Sequence, residues 1–584
     1  MTEKEKTRFN QESFNLSVSR LNNHLKKHSG GFNKIINAII NQYSKNAKKV
    51  EDNEEKKKDG EHFENMCSRI FAEHLHEKRK INVLATKHVS FIAHNLKKAL
   101  ASVGISSDVI YDEPERGYDN CLHIVLCPQM FERLPDLYFV FQLEQHVSKR
   151  WMTEKYFKLL SQAISVIDYS LDNINYFINN GFSYKQLYYL PIRPVDVCID
   201  KGCYEYDVLF YGDMSSDRRK IVLSKLQKEF NVKICTEVFG EELYREISKA
   251  KVVVNIHFYE NALLESTRLS ELISLGKMVV SEEGVNKVEN DCFRSYVKFV
   301  PEGDVESLIK EIRDLLKSDP EEYKVRLKKD FCSTKFNEFT FYFYRFLLSF
   351  DLITFDQFYY SIGQWVDIPK TVCLSLTESI SRKKAFLERY PDIYIFQGLR
   401  HYIGWKGTGL SYKFLMKRAK DKKYEMLTVC EDDVVLPENW NGKQKEILQR
   451  LKEKDWDIFT GLIADAHKDC KIISCEDVSI GKLVSLDKIV SMVFCCYSEN
   501  IYDKMLMWDH YSDSVDNTID RYLQNLIEIK AYCLLPYFVS MAEAKSTLWN
   551  GVDNDVYKKM TKESERFLLE KVELFNRQIV DNSK

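Results

Sequence analysis

The chain has 584 residues, with 85 Lys and Arg against 87 Asp and Glu, a net charge of -2, 44% hydrophobic and 29% charged residues. Such a balance predicts a globular protein of roughly three or four domains and excludes the global basic field of a nucleic-acid binder. No apolar run reaches the roughly 18 residues of a membrane span, and the polar start from Met1 to Asn10 predicts no signal peptide. The 15 Cys show no CxxC pair and no zinc spacing, so they read as reduced thiols of a cytoplasmic protein.

Residues 1–79 are rich in Lys, Glu and Asn, with a charge run from Lys48 to Lys58. Leu21, Leu25, Phe32, Ile35, Ile36, Ile39 and Ile40 recur at helical spacing. A helical arm with a charged linker is the expectation. It could serve packing, homo-oligomer contact, or peripheral attachment at the inner face of a membrane.

From residue 80 strands and helices alternate. Ile81–Thr86, Asp108–Tyr111, His123–Cys127, Tyr138–Gln142 and Ile164–Asp168 read as strands, and Leu171–Asn180 as a helix ended by Gly181. Residues 80–197 are therefore expected to form a doubly wound α/β domain. Glu144, His146 and His88 fall near strand ends, as acid/base candidates or as structural groups.

Residues 205–355 repeat that architecture. The strand Asp207–Tyr211 runs into Gly212, and Arg218 and Arg219 open the next helix. A helix N-terminus and two guanidinium forks suit phosphate, although a plain turn glycine and solvated arginines would look the same. Val252–Ile256 and Lys277–Ser281 are further strands, Ser266–Leu275 is a helix ended by Gly276, and Phe331–Asp351 reads as a closing helix. The third domain, residues 365–560, opens with the strand Thr371–Leu376. It contains the run Met426 to Pro437, a buried strand ending in Glu431-Asp432-Asp433. Three adjoining carboxylates repel one another unless paired, and a hard divalent cation would resolve the conflict. An acidic turn after a strand is the plainer alternative.

The run from Glu265 to Val280 resembles the nucleotide-binding helix of GT-B fold glycosyltransferases, with Glu271 five residues before Gly276 matching the ribose-binding Glu. Position 263, where many such enzymes carry an earlier Glu, is Leu, with Glu260 and Glu265 as displaced candidates. The resemblance implies nucleotide-sugar binding by Gly212, Arg218, Arg219, Arg268 and Glu271 and no cofactor in this part, and it leaves Glu144 and His146 as catalytic candidates by their place near strand ends alone. The third domain resembles glycosyltransferase family 25, the lipopolysaccharide type with a GT-A-like fold. The resemblance runs through Val372–Leu376, Arg382, Gly409-Leu410-Ser411, Leu427–Val434, Asp457–Gly461, Phe494–Ser498 and Asp520–Leu523, with Tyr412 where the family usually has His. It implies Mn2+ or Mg2+ held by Glu431 and Asp433, donor contacts from Arg382, Ser411 and Asp432, and Asp520, with Asp516 as a competitor, contacting the acceptor hydroxyl or acting as catalytic base. The whole reads as an α/β protein, a GT-B-like pair of Rossmann-type domains followed by a GT-A-like domain. Its expected activity is that of a bifunctional glycosyltransferase. The substrates would be nucleotide-sugar donors and a glycan or lipid-linked glycan acceptor of a surface polysaccharide such as lipopolysaccharide or capsule. A chain with one active head and one degenerate binding module, or a non-catalytic scaffold, are the alternatives.

Overall fold

The computed structural model describes residues 80–582, except 149, 197–202, 490, 513–516, 527 and 543–554. The helical arm of residues 1–79 and the candidate acid Asp516 lie outside the described residues. The chain divides into two compact units, one running to Leu347 and taking in Asp351–Ile353, the other holding Leu348–Phe350 and everything from Thr354.

Unit one contains two parallel sheets. The first is built from β1 (Ile81–Leu84), β2 (Val109–Ile110), β3 (Leu122–Leu126), β4 (Tyr138–Gln142), β5 (Val166–Asp168) and β6 (Leu187–Tyr189), in the order β2-β1-β3-β4-β5-β6. Helices α1 (Ser90–Ser102), α2 (Glu154–Ser161) and α3 (Leu171–Asn179) join its strands. Every residue of β1, β3 and β4 is buried, as expected for parallel strands covered on both faces. The second sheet comprises β7 (Tyr206–Tyr211), β8 (Val232–Cys235), β9 (Ala250–Asn255), β10 (Met278–Glu282) and β11 (Val297–Val300), in the order β11-β10-β9-β7-β8. Its helices are α4 (Asp217–Leu226), α5 (Gly240–Ser248), α6 (Ser266–Ser274) and α7 (Val305–Leu315). Alternate residues of β7 and β9 feed separate cores on the two faces: Leu209 and Val253 one, Val208, Phe210, Val252 and Val254 the other.

The expected closing helix Phe331–Asp351 is in fact two, α8 (Pro320–Ser333) and α9 (Glu338–Ser349). The break has a local cause. Asn337 accepts the backbone N–H of Thr340 at 3.0 Å and donates to the carbonyl of Pro194 at 2.8 Å, so it starts a new helix.

Unit two is organised around one mixed sheet of eight strands. They are β12 (Thr371–Ser375), β13 (Tyr394–Gln397), β14 (Met426–Glu431), β16 (Ile458–Thr460), β17 (Ile472–Val478), β18 (Gly481–Leu486), β19 (Phe494–Ser498) and β20 (Ala531–Leu535), in the order β13-β12-β14-β19-β16-β20-β18-β17. A small ribbon pairs β15 (Val434–Val435) with β21 (Ser540–Met541). The helices are α10 (Phe355–Ser361), α11 (Ile380–Arg389), α12 (Gly404–Asp421), α13 (Trp440–Leu451), α14 (Glu499–Leu506), α15 (Ile519–Gln524) and α16 (Asp555–Asn582). The β17–β18 hairpin was not anticipated from the sequence. Its Gly481 has φ +143°, and a Cβ there would lie 2.6 Å from the carbonyl oxygen of Leu535, so only glycine lets the hairpin lie on β20.

Candidate functional site

In the second sheet of unit one the strand order reverses between β7 and β9, the kind of switch point at which open α/β sheets bind ligands. Gly212 follows β7 with φ +137°. A Cβ there would meet Arg268 Nη2 at 3.1 Å and Arg219 Nη1 at 3.4 Å, so the missing side chain is what lets two guanidinium groups approach the loop. Arg219, on α4, is 3% exposed. Its Nε donates to the carbonyl of Ile256 at 2.9 Å, Nη1 to that of Asp213 at 3.0 Å, and Nη2 to Glu265 Oε1 at 3.1 Å. Arg268, on α6, donates to Asn255 Oδ1 at 2.8 Å, pairs with Glu265 Oε2 at 2.7 Å, and lies 4.8 Å above the ring of Tyr211. Glu265 thus receives one guanidinium on each carboxylate oxygen. Burial alone would raise its pKa, but Arg268, the His257 ring and Arg219 outweigh burial and hold it at about 2. Burial in turn draws Arg219 down to about 10. Glu265 is the carboxylate that bonds both guanidinium groups, and Asp213 and Glu282 act on Arg219 without bonding it through their carboxylates.

The neighbouring Arg218, expected on phosphate, is committed elsewhere. Both its Nη atoms bind Glu282, Nη1 at 2.6 Å, and Nη1 also donates to the His257 carbonyl at 3.2 Å. Glu282, 2% exposed, also accepts the N–H groups of His257 and Gly303, each at 2.9 Å. A phosphate would have to displace a bidentate carboxylate, so Arg218 braces the loops after β9 and β10. Glu271 is 9% exposed. It accepts hydroxyls from Tyr211 and Tyr244, each at 3.0 Å, and burial raises its pKa. Two phenols stand where the resemblance places ribose hydroxyls.

The first half of unit one supplies titratable groups from the ends of its strands. After β1, His88 Nδ1 lies 2.9 Å from Thr86 Oγ1 and Nε2 3.6 Å from Cys127 Sγ. Burial lowers the pKa of His88 and pushes the Cys127 thiol up to about 12, so Cys127 is no thiolate nucleophile at neutral pH. After β4, Gln129 donates to Glu144 Oε1 at 2.7 Å. Burial pushes Glu144 up to about 7 against the opposing pull of Arg150 and Gln129, a value suited to proton transfer near neutrality. A buried scaffold fixes this residue. Gln142 and Asn173 donate to the carbonyl of Glu144 at 2.8 and 2.9 Å and to the fully buried Asp168 at 2.7 and 3.1 Å. His146 is directed to that scaffold, its N–H and its Nδ1 lying 2.9 and 3.0 Å from Asn173 Oδ1. The halves meet at this loop. Gln145 accepts the N–H of Leu263 at 2.9 Å, and Ser148 Oγ lies 2.8 Å from the Tyr259 hydroxyl. Glu144 and Glu265 thus flank one inter-half contact, each within two residues of it.

Unit two gathers the acidic triplet at the end of β14. Ser375 donates to Asp432 Oδ2 at 2.6 Å, and Arg382 binds Asp432 and lies 3.0 Å from Asp433 Oδ2. Burial and the neighbouring Asp433, Asp432 and Asp520 push the pKa of Glu431 up to about 8, with Arg382 opposing. Asp520, in the first turn of α15, is therefore close enough to add to the repulsion. Ser411 is 1% exposed. Its hydroxyl donates to the Gly407 carbonyl at 2.8 Å and accepts the N–H of Leu399 at 2.8 Å, which makes it a packing group of α12. Tyr412, in the place of the family's His, donates to the Met492 carbonyl at 2.8 Å. Among the described residues no three His, Cys, Asp or Glu side chains converge to hold a metal ion by themselves. An ion at Glu431 and Asp433 would need oxygens from a bound ligand, as Mg2+ commonly does.

Sequence reasoning raised Glu265 only as a displaced alternative, and missed His257, Asn255, Gln129 and Asp168. The signal available for His257 and Asn255 was their place at the end of an apolar strand. For Glu265 it was the i, i+3 spacing to Arg268.

No family model matches the chain. Over 159 residues it is 30% identical to an uncharacterised protein of Acanthamoeba polyphaga mimivirus, covering 25% of this chain and 51% of that protein. The chain thus spans about half the length of the curated relative it matches. Solved structures similar to it include sucrose-phosphate synthase from Thermosynechococcus elongatus, at 12% identity and TM-score 0.30, covering 43% of this chain and 92% of that one. An alpha-glucosyltransferase in complex with UDP-glucose and DNA containing an abasic site matches at 10% identity and TM-score 0.33, covering 47% and 98%. A mutant of S. aureus TarM in complex with Fondaparinux, alpha-GlcNAc-glycerol and UDP matches at 12% identity and TM-score 0.28, covering 40% and 55%. Among the described residues no helix is long and apolar enough to cross a membrane.

Proposed function

We propose that the chain is a glycosyltransferase using nucleotide-sugar donors, with the donor site of unit one built as in GT-B enzymes. The observation that carries this reading is the pair of guanidinium groups, Arg219 and Arg268, drawn against Gly212 at the sheet's switch point. Both arginines are fixed before a ligand arrives. They are placed to stabilise the negative charge that builds on a departing nucleoside diphosphate. Glu271 with its two tyrosines would take the ribose. Glu144, poised near neutrality, would accept the proton of the acceptor hydroxyl. The sugar–phosphate bond breaks, the bond from the anomeric carbon to the acceptor oxygen forms, and the diphosphate leaves between the arginines.

In unit two the reading is a second, GT-A-like transfer site of the family 25 kind. Three carboxylates face one guanidinium, and the excess shows in the raised pKa of Glu431. Glu431 and Asp433 would hold Mn2+ or Mg2+, which when bound offsets charge on a donor diphosphate. Asp520 would orient the acceptor hydroxyl, and Arg382 would shift from the carboxylates to the donor. A glycan or lipid-linked glycan of a surface polysaccharide is the proposed acceptor. Arg382, already shared between Asp432 and Asp433, favours a second reading in which unit two keeps a binding role only.

A panel of nucleotide sugars tests these readings by transfer and by donor hydrolysis, with Glu271→Ala and, separately, Asp432→Ala plus Asp433→Ala. Each variant should remove one activity, and EDTA should remove only that of unit two. If neither variant loses any activity, the assignment fails. If EDTA changes nothing and the double variant is fully active, unit two is a binding module.

A further inference from the structure

One carboxylate from the second half of unit one reaches across into the first. Glu289, in the short 3-10 helix Val288–Ser295 after β10, accepts the backbone N–H of Leu171 at 2.6 Å and the Ser170 hydroxyl at 3.1 Å. Those two residues open the nine-residue helix α3, whose N-terminus favours a negative charge. The same turn leads to the candidate base. The Ser170 N–H binds Asp168 Oδ1 at 2.8 Å, and Asp168 takes the amides of Gln142 and Asn173, which also hold the carbonyl of Glu144. On its other side Glu289 is tied to the arginine cluster. The Arg193 guanidinium fixes its carbonyl at 2.7 Å. Asn286, in the loop just before it, accepts the N–H of Leu264 at 2.9 Å and donates to Glu289 Oε2 at 3.5 Å. Leu264 immediately precedes Glu265, which binds both arginines. A Cβ on Gly284 would stand 2.4 Å from the Leu264 nitrogen, so the loop is pressed against that strand of chain.

One short loop therefore holds the residue beside Glu265 with one side chain and the turn beneath Glu144 with another. We infer that Glu289 is a positioning residue for the transfer in unit one, tying the place of Glu144 to that of the arginine cluster. The inference rests on the donor-site reading of unit one, with Glu144 as the base. Glu289 makes no donor or acceptor contact in this reading. It acts through Ser170, Leu171 and Asp168, and its loss would displace the base. A shift of about 1 Å in a reacting group lowers a rate roughly 100-fold. Charge pairing does not hold the Glu289 carboxylate. The charged groups that face it from the first half are Asp172 and Asp168, both acids, and Arg193 turns its Nε to Glu338 at 2.7 Å. N–H and O–H donors hold it, so a neutral amide can stand in for it.

Donor hydrolysis by the full chain tests this, with UDP-glucose, UDP-galactose, UDP-N-acetylglucosamine, GDP-mannose and ADP-glucose as donors and EDTA present to silence unit two. Water takes the acceptor's place: it gives a proton to Glu144 and its oxygen to the anomeric carbon, and the diphosphate leaves. Glu289→Ala should lower kcat about 10- to 100-fold. The donor KM, and the calorimetric affinity for the matching nucleoside diphosphate, should stay within about twofold. The limb of the pH profile near 7, set by Glu144, should move toward the ordinary carboxyl value of 4.5 as the base loosens into solvent. Glu289→Gln keeps an acceptor for Leu171 and offers a donor to Ser170, so it should bring kcat back to within about threefold of wild type. Ser170→Ala should lower kcat in the same direction, and the double variant Glu289→Ala plus Ser170→Ala should lose no more than Glu289→Ala alone. Where Glu289→Ala fails to fold, Ser170→Ala decides by its own kcat and pH limb. An unchanged kcat and pH limb in these variants, or a loss of nucleotide affinity as large as the loss of kcat, would overturn the inference and leave the donor site standing. Failure of the wild-type chain to hydrolyse any of the donors would overturn the donor-site reading, and the inference with it.

Discussion

Glu265→Gln separates the electrostatic role of the arginine cluster from its packing role. The substitution keeps volume and removes one charge. In the folded chain the carboxyl sits at about 2, against an ordinary value of 4.5. A depression of that size contributes about 3 kcal/mol of stability at pH 7. The sign follows from linkage. A carboxyl whose pKa is depressed by folding stabilises the native state above its unfolded value, and the contribution is lost as pH falls through the folded value. The variant should therefore be about 3 kcal/mol less stable than wild type at pH 7 and only about 1 kcal/mol less stable at pH 3. Urea denaturation at both pH values reads this, on the transition of unit one. That transition is recognised by its shift on adding a nucleoside diphosphate. The same substitution leaves Arg219 and Arg268 with no carboxylate bonded between them, so the surroundings of Gly212 become more positive by one charge. A diphosphate should then raise the melting temperature of the variant by more than it raises that of wild type. Equal stability at pH 7, or a ligand-induced shift no larger than in wild type, would refute the account of Glu265 as the counter-charge of an anion cradle.

Three further outcomes follow from the same geometry. Glu144→Gln should lower transfer by about 10²–10⁴-fold and abolish a limb near pH 7, through which the wild-type rate rises with pH; because folding raises this carboxyl, wild type should also lose stability between pH 4.5 and about 7 while the variant does not. Gly212→Ala places a Cβ 3.1 Å from Arg268 in a backbone region that costs about 1–3 kcal/mol for a non-glycine residue, and calorimetry should show roughly tenfold weaker diphosphate binding with the circular dichroism unchanged. Arg382→Gln strips Asp432 and Asp433 of their guanidinium and should destabilise unit two by about 3–5 kcal/mol, a loss that Mn2+ should partly reverse in thermal unfolding.

Most strands of the parallel sheets of unit one were legible because they are short, largely apolar runs bounded by polar turns, whereas β6 and β11 were not read as strands. The β17–β18 hairpin was not. Its first strand, Ile472–Val478, is half-exposed and carries Ser474, Glu476 and Asp477, so neither alternation nor apolar density marks it. The break between α8 and α9 hid inside an aromatic run, because a capping Asn within it looks like any surface polar residue. At the site, sequence placed Gly212, Arg219, Arg268 and Glu271 close to where the structure puts them, since strand-end and helix-start positions are fixed by the βα unit. It could not separate Arg218 from Arg219. Consecutive helical residues point about 100° apart, and only the position of Glu282, 64 residues away, decides which of the two turns toward the loop after β10.

The two arginine sites of this chain show how one residue type serves opposite ends. Arg382 meets two carboxylates and is outnumbered by them, so its neighbourhood keeps an appetite for cations. Arg219 and Arg268 bond one carboxylate between them, so each turns only part of its guanidinium to an acid. The difference does not come from the arginines themselves. It comes from the stoichiometry of the acids around them, and that stoichiometry is set by which strand ends the topology brings together. In unit one the acid that bonds both arginines, Glu265, comes from the start of α6, while Asp213 and Glu282 act on Arg219 without that bond. In unit two three acids stand in a row at the end of β14, with a fourth, Asp520, near enough to be felt. A diphosphate donor could approach the first cluster directly. At the second it would meet like charge, and would bind only in company with a cation or after Arg382 had turned toward it.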